Sequence, residues 1–205
     1  MKYRPKLRLP LNGLLSMIIL AACSVGDLTS PAPQLSGALQ QQLLPNGEVA
    51  QVALDVAPAD TQFKTFTIDD DVSAWYTFGN HKLYVPKNAI CDLNSGYGPT
   101  YWLQACASKT NNTTVTAKYW TDSRGYARAE FRPDLRFKPD KPAWLYLKDP
   151  KGALATSSAI LYCQDGTDIC YNESLNDPAM QTNRDPVTGW VWRIIRHFSG
   201  YNVWA

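Results

Sequence analysis

From residue 63 to the C-terminus, apolar and polar side chains alternate in short runs, and clusters of Gly, Pro, Asn and Asp break the chain between them. No stretch there keeps a helical apolar period over a useful length, whereas a period of two buries one face of a strand. Residues 63–68, 81–85, 143–147, 159–163 and 169–172 read as strands, and 190–203 as a long terminal strand. The Asp-Pro-Val-Thr-Gly sequence at 185–189 is a turn signal leading into the last of these. Many short strands with Pro- and Gly-rich joints point to a sandwich or a barrel. The expected fold class is all-β, an antiparallel β-sandwich.

The clearest hairpin lies within 114–131. A three-residue loop of Ser123, Arg124 and Gly125, with Gly in the left-handed conformation, makes paired positions sum to 248. Tyr119 then faces Ala129 and Ala117 faces Phe131 on the apolar side. Lys118 meets Glu130 and Trp120 meets Arg128 on the other. Loops of two or four residues would oppose apolar to polar positions, so the pattern selects this register.

The chain has 205 residues, 45% apolar and 19% charged, which suits one globular domain and not general disorder. Its formal charge of +2 looks mildly basic, a first hint of nucleic acid or membrane. The charges lie elsewhere than a binding stripe would need. Lys2, Arg4, Lys6 and Arg8 precede an apolar run at 9–22, the pattern of a signal peptide and too short for a comfortable membrane span. The run ends in Leu20, Ala21, Ala22 and Cys23, which resembles the lipobox of bacterial lipoproteins. That resemblance implies cleavage before Cys23 and lipidation of its thiol and new amine. It also implies a lipid-anchored address in the cell envelope, with Ser24 favouring the outer membrane where a bacterium has two. Removing the four basic residues leaves 16 against 18 acids, a net charge of −2. A nucleic-acid partner is thereby disfavoured, and lipid on Cys23 makes the membrane contact.

Four cysteines remain, and an oxidising compartment permits them to pair. Three pairings are open; proximity favours Cys91 with Cys106 and Cys163 with Cys170. A two-residue turn at Gly166 and Thr167 would set Cys163 directly opposite Cys170. Neither pair has the C-x-x-C spacing of a zinc ribbon. Each disulfide should contribute about 2 to 4 kcal/mol.

Residues 23–62 are poor in aromatics and carry Pro31, Pro33, Pro45 and Pro58 among Gln, Ser and Gly, the composition of a flexible tether. Within it 35–44 is a candidate short helix, opposed by Gly37 and the Gln run. Aromatics appear abruptly after Gln62, so the expected layout is signal peptide 1–22, lipidated linker 23–62 and sandwich domain 63–205. Three segments of that domain resemble ZU-five-like domains. Leu83, Tyr84, Val85, Pro86, Lys87, Asn88, Ala89 and Ile90 resemble their opening "strand, then P-x-G-A-hydrophobic", with Asn88 where Gly is usual. Residues 131–147, with Phe137, Pro139, Pro142, Trp144 and Tyr146, resemble their "F-x-x-P, then alternating strand". His197, Phe198, Ser199, Gly200, Tyr201, Asn202 and Val203 resemble the final "HFSxYxV" strand. The resemblance implies a β-sandwich that binds or supports rather than catalyses.

Catalytic signals are sparse. His81 and His197 are the only histidines, and His197 and Ser199 have no acid near them in sequence, so a structural role is expected for His197. Asp69, Asp70 and Asp71, or Asp92 and Asn94 before Gly98, offer oxygens for Ca²⁺, but neither completes a calcium loop. No catalytic residue, metal or cofactor is expected. The aromatics are the other resource, with 7 Trp, 11 Tyr and 6 Phe. Trp102, beside Tyr101, sits in a Gly/Pro-rich loop inside the 91 to 106 pair. Alternation leaves Trp120, Trp190 and Trp192 partly outside. Such rings stack on sugar faces. Three readings follow, with a protein or a glycan of the envelope as partner. A structural module predicts a filled core without a deep polar pocket. A glycan binder predicts exposed rings sharing one face, and a hydrolase predicts a cleft with converging carboxylates or histidine.

Overall fold

Alternation becomes two antiparallel sheets in the computed structural model, which describes residues 40–43, 49–52, 58–164 and 169–205. All lie in the unit Gly37–Ala205. The strands are β1 (Gln40–Leu43), β2 (Val49–Val52), β3 (Gln62–Ile68), β4 (Ala74–Phe78), β5 (His81–Val85), β6 (Thr113–Thr121), β7 (Ala127–Arg132), β8 (Ala143–Lys148), β9 (Ala159–Cys163), β10 (Ile169–Tyr171), β11 (Asn183–Asp185), β12 (Trp190–Ile195) and β13 (Gly200–Trp204). One sheet has the order β1-β2-β10-β9-β13-β7-β6-β3 and the other β11-β12-β8-β5-β4. From β3 onward the chain passes back and forth between them, so each sheet collects neighbours distant in sequence. Their inner faces share one buried cluster. Phe78, Leu83, Leu145 and Val191 come from the five-stranded sheet, and Val115, Phe131, Ile160, Tyr201 and Val203 from the eight-stranded one. Phe131 stacks on Phe198 at 4.9 Å and meets Phe78 edge-on at 5.3 Å.

The β6–β7 register is the one expected, with Tyr119 opposite Ala129, Ala117 opposite Phe131 and Trp120 opposite Arg128. Gly125 closes the loop at φ +84°, where a Cβ would be strained. Cys91 is joined to Cys106 and Cys163 to Cys170. Gln164 N–H donates to the Ile169 carbonyl at 2.9 Å, so the adjacent Cys163 and Cys170 form a non-hydrogen-bonded pair, whose side chains approach closely. The turn expected at Gly166 and Thr167 lies outside the described residues.

Three expectations change. Strands β1 and β2 fall inside the stretch read as a tether, and β2 pairs with β10, so the sheet begins before residue 63. Gln40–Leu43 is extended rather than part of a short helix. The terminal strand is two strands in different sheets. Residues 196–199 turn the corner between them, held by hydrogen bonds from Phe137 N–H to the Arg196 carbonyl and from Phe198 N–H to the Leu135 carbonyl. Corners of this kind let one chain serve both sheets. Because every residue from Arg193 to Val203 is buried, alternation could not reveal the break.

A short helix α1 (Pro150–Leu154) follows β8. Asp149 caps it, taking Gly152 N–H at Oδ1 and Ala127 N–H at Oδ2, both at 2.7 Å. His81 is buried against Phe78 and Tyr119, and its Nδ1 accepts the Lys148 N–H at 3.0 Å. Burial pushes the imidazole down to about 4, so it folds neutral. An unfolded chain takes up this proton near pH 6.5, and the associated stability is present above that value and lost as pH falls toward 4. Wild type should lose about 3 kcal/mol more than His81→Gln between pH 7 and 4, read as the difference in their urea unfolding free energies; equal losses would refute this.

Candidate functional site

On the five-stranded sheet, the residues between the core positions face outward, and most are aromatic. Trp75 on β4, Tyr84 on β5, Trp144 and Tyr146 on β8, and Trp190 and Trp192 on β12 share this outer face. The register puts Trp192 beside Tyr146, and Trp144 beside Tyr84 and then Trp75. Tyr146 and Trp192 are nearly parallel, 7° apart at 5.8 Å. Trp75 packs 5.0 Å from Tyr84 and 5.3 Å from Tyr146. Trp75 is 55% exposed and the other five are half-buried. Partial burial pushes the Tyr146 hydroxyl's pKa up. The ammonium groups of Lys82 and Lys148 lie 5.4 and 5.2 Å from the Trp190 ring, within cation–π reach. Three interstrand steps separate β4 from β12, so the aromatic band is about 14 Å across. Six rings on one outer face, one largely exposed and five half-buried, make this face a candidate interaction surface.

The four tryptophans singled out from the sequence thus part company. Trp190 and Trp192 join the aromatic face. Trp120 does not: it is 5% exposed, covered by Lys118 at 4.6 Å and Arg128 at 5.0 Å. Alternation put it on the outer side of β6, but those long side chains lie across the ring. Trp102 is elsewhere again, in the loop closed by the Cys91 to Cys106 disulfide. Arg136 holds that loop by donating to the carbonyls of Ser95, Gly96, Tyr101 and Gln104 at 2.6 to 3.1 Å. One guanidinium thereby satisfies four backbone acceptors of an irregular segment.

His197 has an acid partner after all, brought from 24 residues upstream. Its Nε2 lies 3.0 Å from Glu173 Oε1, while Glu173 Oε2 accepts from Arg193 Nη2. Arg193 is 0% exposed and donates from Nη1 to the Ile160 carbonyl across the sandwich at 2.9 Å. The His197 ring stacks on Trp102 at 3.8 Å and meets Tyr162 edge-on at 4.8 Å. Burial alone would push the Glu173 carboxyl's pKa up; Arg193 and His197 outweigh it and hold the carboxyl below its usual value. Burial likewise raises the neighbouring Tyr201 phenol far above its ordinary range. A cavity of about 400 Å³ opens beside this cluster, lined by Trp102, Tyr162, Tyr171, Glu173, Asp177 and Arg196 among others. The cavity is half open to solvent and mainly apolar in its lining, so it is not the deep polar pocket that a structural module was expected to lack. Carboxylates do converge there, yet Glu173 is paired as described and Asp177 is paired with Arg196 at 2.7 Å.

The acidic runs have structural tasks. Asp70 is buried, with Oδ1 accepting Ile90 N–H at 3.2 Å and its carbonyl accepting Asn88 N–H at 2.6 Å. Asp92 caps the turn at Leu93–Ser95. Among the described residues no three His, Cys, Asp or Glu side chains gather as a metal-holding group. Cys23 lies outside the described residues. Trp75, Tyr84, Trp144 and Tyr146 were missed as a group, although alternation carried the signal once β4 and β8 were paired with β5. Comparison with protein-family models, with curated proteins and with solved structures finds no match. The functional reading therefore rests on the residues themselves.

Glu173→Ala should destabilise the protein by about 3 to 5 kcal/mol, because it leaves Arg193 buried and unpaired. Asp134→Ala, which breaks the exposed pair of Arg132 and Asp134, should cost under about 1 kcal/mol. Urea denaturation of both variants checks the contrast.

Proposed function

We propose that this chain is a lipid-anchored protein of a bacterial cell envelope whose β-sandwich is a non-catalytic interaction module for glycan chains. The observation that carries this reading is the outer face of the five-stranded sheet. There Trp75, Tyr84, Trp144, Tyr146, Trp190 and Trp192 form one contiguous aromatic surface. A sugar ring presents C–H groups on its faces and hydroxyls at its edge, so aromatic rings meet the faces while indole N–H and lysine groups meet the edge. A band spanning four strands offers stacking positions for successive rings of a chain rather than for one sugar.

The lipid anchor rests on Cys23 and the signal sequence before it, and the outer-membrane address on Ser24. Membership among ZU-five-like domains rests on the three motifs and gains support from Asn88. This residue stands where the motif has Gly, and its φ is +55°, the left-handed region that Gly favours and Asn tolerates best after it. The segment resembling "HFSxYxV" forms the corner and β13, with Phe198, Tyr201 and Val203 in the core.

Two experiments test the proposal. Full-length protein in detergent micelles should be retained by at least one of insoluble peptidoglycan, chitin and cellulose. Trp75→Ala and Trp192→Ala should each weaken retention about tenfold or more with little loss of thermal stability. Retention by none of the three, or retention indifferent to both substitutions, overturns the glycan reading. Separately, cells fed radiolabelled palmitate should label the wild-type protein and not Cys23→Ser; equal labelling overturns the anchor.

A further inference from the structure

The cavity beside Trp102 has a chemistry distinct from the aromatic face. It lies at the inner side of β9 and β10, where Tyr162 and Tyr171 stack at 5.9 Å with 27° between their planes. Trp102 stands at 90° to Tyr162, 5.4 Å away, so the three rings make a corner. Leu103 and Met180 extend its apolar wall. Every charged side chain among the described lining residues is already engaged. Glu173 gives one oxygen to His197 and the other to Arg193. Arg196 directs Nε to Asp177 at 2.7 Å and Nη1 to the Pro139 carbonyl at 2.9 Å. An ionised guest would find no uncommitted counter-charge among the described lining residues, and a sugar would set most of its hydroxyls against a mainly apolar wall. The wall is also built in advance. A disulfide and the four hydrogen bonds of Arg136 hold the loop that carries Trp102, which lowers the ordering cost of binding.

Volume narrows the guest further. A cavity of about 150 Å³ lined by apolar side chains holds one benzene ring, so about 400 Å³ has room for two fused or linked rings. Gln164 and Asn176 are exposed lining residues, positions suited to a polar substituent directed outward.

We propose that this cavity is a second binding site, and that it takes an uncharged molecule of two fused or linked aromatic rings. The site does not depend on the glycan reading, since it shares no residue with the outer face.

Isothermal titration of the full-length protein in micelles, with the heat of micelles alone subtracted, tests it with indole as the probe. Indole should bind with a dissociation constant on the order of 0.1 to 1 mM, as expected for a ligand of few atoms. Indole-3-acetate, the same ring with a carboxylate, should bind at least tenfold more weakly, and methyl β-glucoside should neither bind nor displace indole. Tyr171→Ala should weaken indole binding at least tenfold. Leu103→Glu provides a second variant whose folding is not in question, because Leu103 is 64% exposed, and it too should weaken binding. Trp75→Ala should leave it unchanged. Absence of indole binding, equal binding of the anion, displacement by the glucoside, or indifference to Leu103→Glu each overturns the proposal.

Discussion

An arginine at an inward position of β12 sets much of this architecture. Arg193 lies where alternation demands a core residue, and a lone guanidinium there would cost several kcal/mol. Its partners make it tolerable. The Ile160 carbonyl takes one donor, Glu173 takes another, and the Tyr201 ring lies 5.5 Å beneath. Supplying Glu173 requires the chain after β10 to fold back as the turn Glu173–Leu175. The second oxygen of Glu173 then meets His197 at the corner between sheets, and His197 in turn supports Trp102. The inward direction of Arg193 also sends Trp190 and Trp192 outward. One buried cation thus links the two sheets, the floor of the cavity and the outer aromatic face.

The two candidate surfaces differ in how they meet water. The aromatic face is open, and its rings support one another across four strands, so it suits a long partner that displaces weakly held water over a wide area. The cavity is half open to solvent, its wall is mainly apolar and the charges of its described lining residues are paired, so it suits a small apolar guest. Rigidity comes from different sources as well. Sheet register holds the face, whereas a disulfide and the Arg136 hydrogen bonds hold an irregular loop against the cavity.

Local features were legible in the sequence. The β6–β7 register followed from where apolar residues fall around Ser123, Arg124 and Gly125, and both disulfide pairings followed from proximity along the chain. What escaped notice depended on contacts distant in the chain. The hairpin register already set Arg128 against Trp120; what it did not show is that Lys118, two residues back on the same face, would lie over the ring as well and leave it buried. The run from Arg193 to Val203 is buried throughout, so the change of sheet at 196–199 leaves no mark in its periodicity. Glu173 and His197 are partners only because the corner brings them together. Strands β1 and β2 lack aromatic or β-branched enrichment, apart from Val49 and Val52, and their composition resembled that of a linker.

The central claim is that the outer face of the five-stranded sheet, not the cavity or the β6–β7 hairpin, receives a glycan. The seven tryptophan indole N–H resonances report on all three places in one NMR titration with soluble oligosaccharides of the polymer that retains the protein. Assigned by substitution, the signals of Trp75, Trp144, Trp190 and Trp192 should shift together in a saturable manner, while those of Trp102 and Trp120 stay in place. Shifts confined to Trp102, or spread evenly over all seven, would contradict the claim.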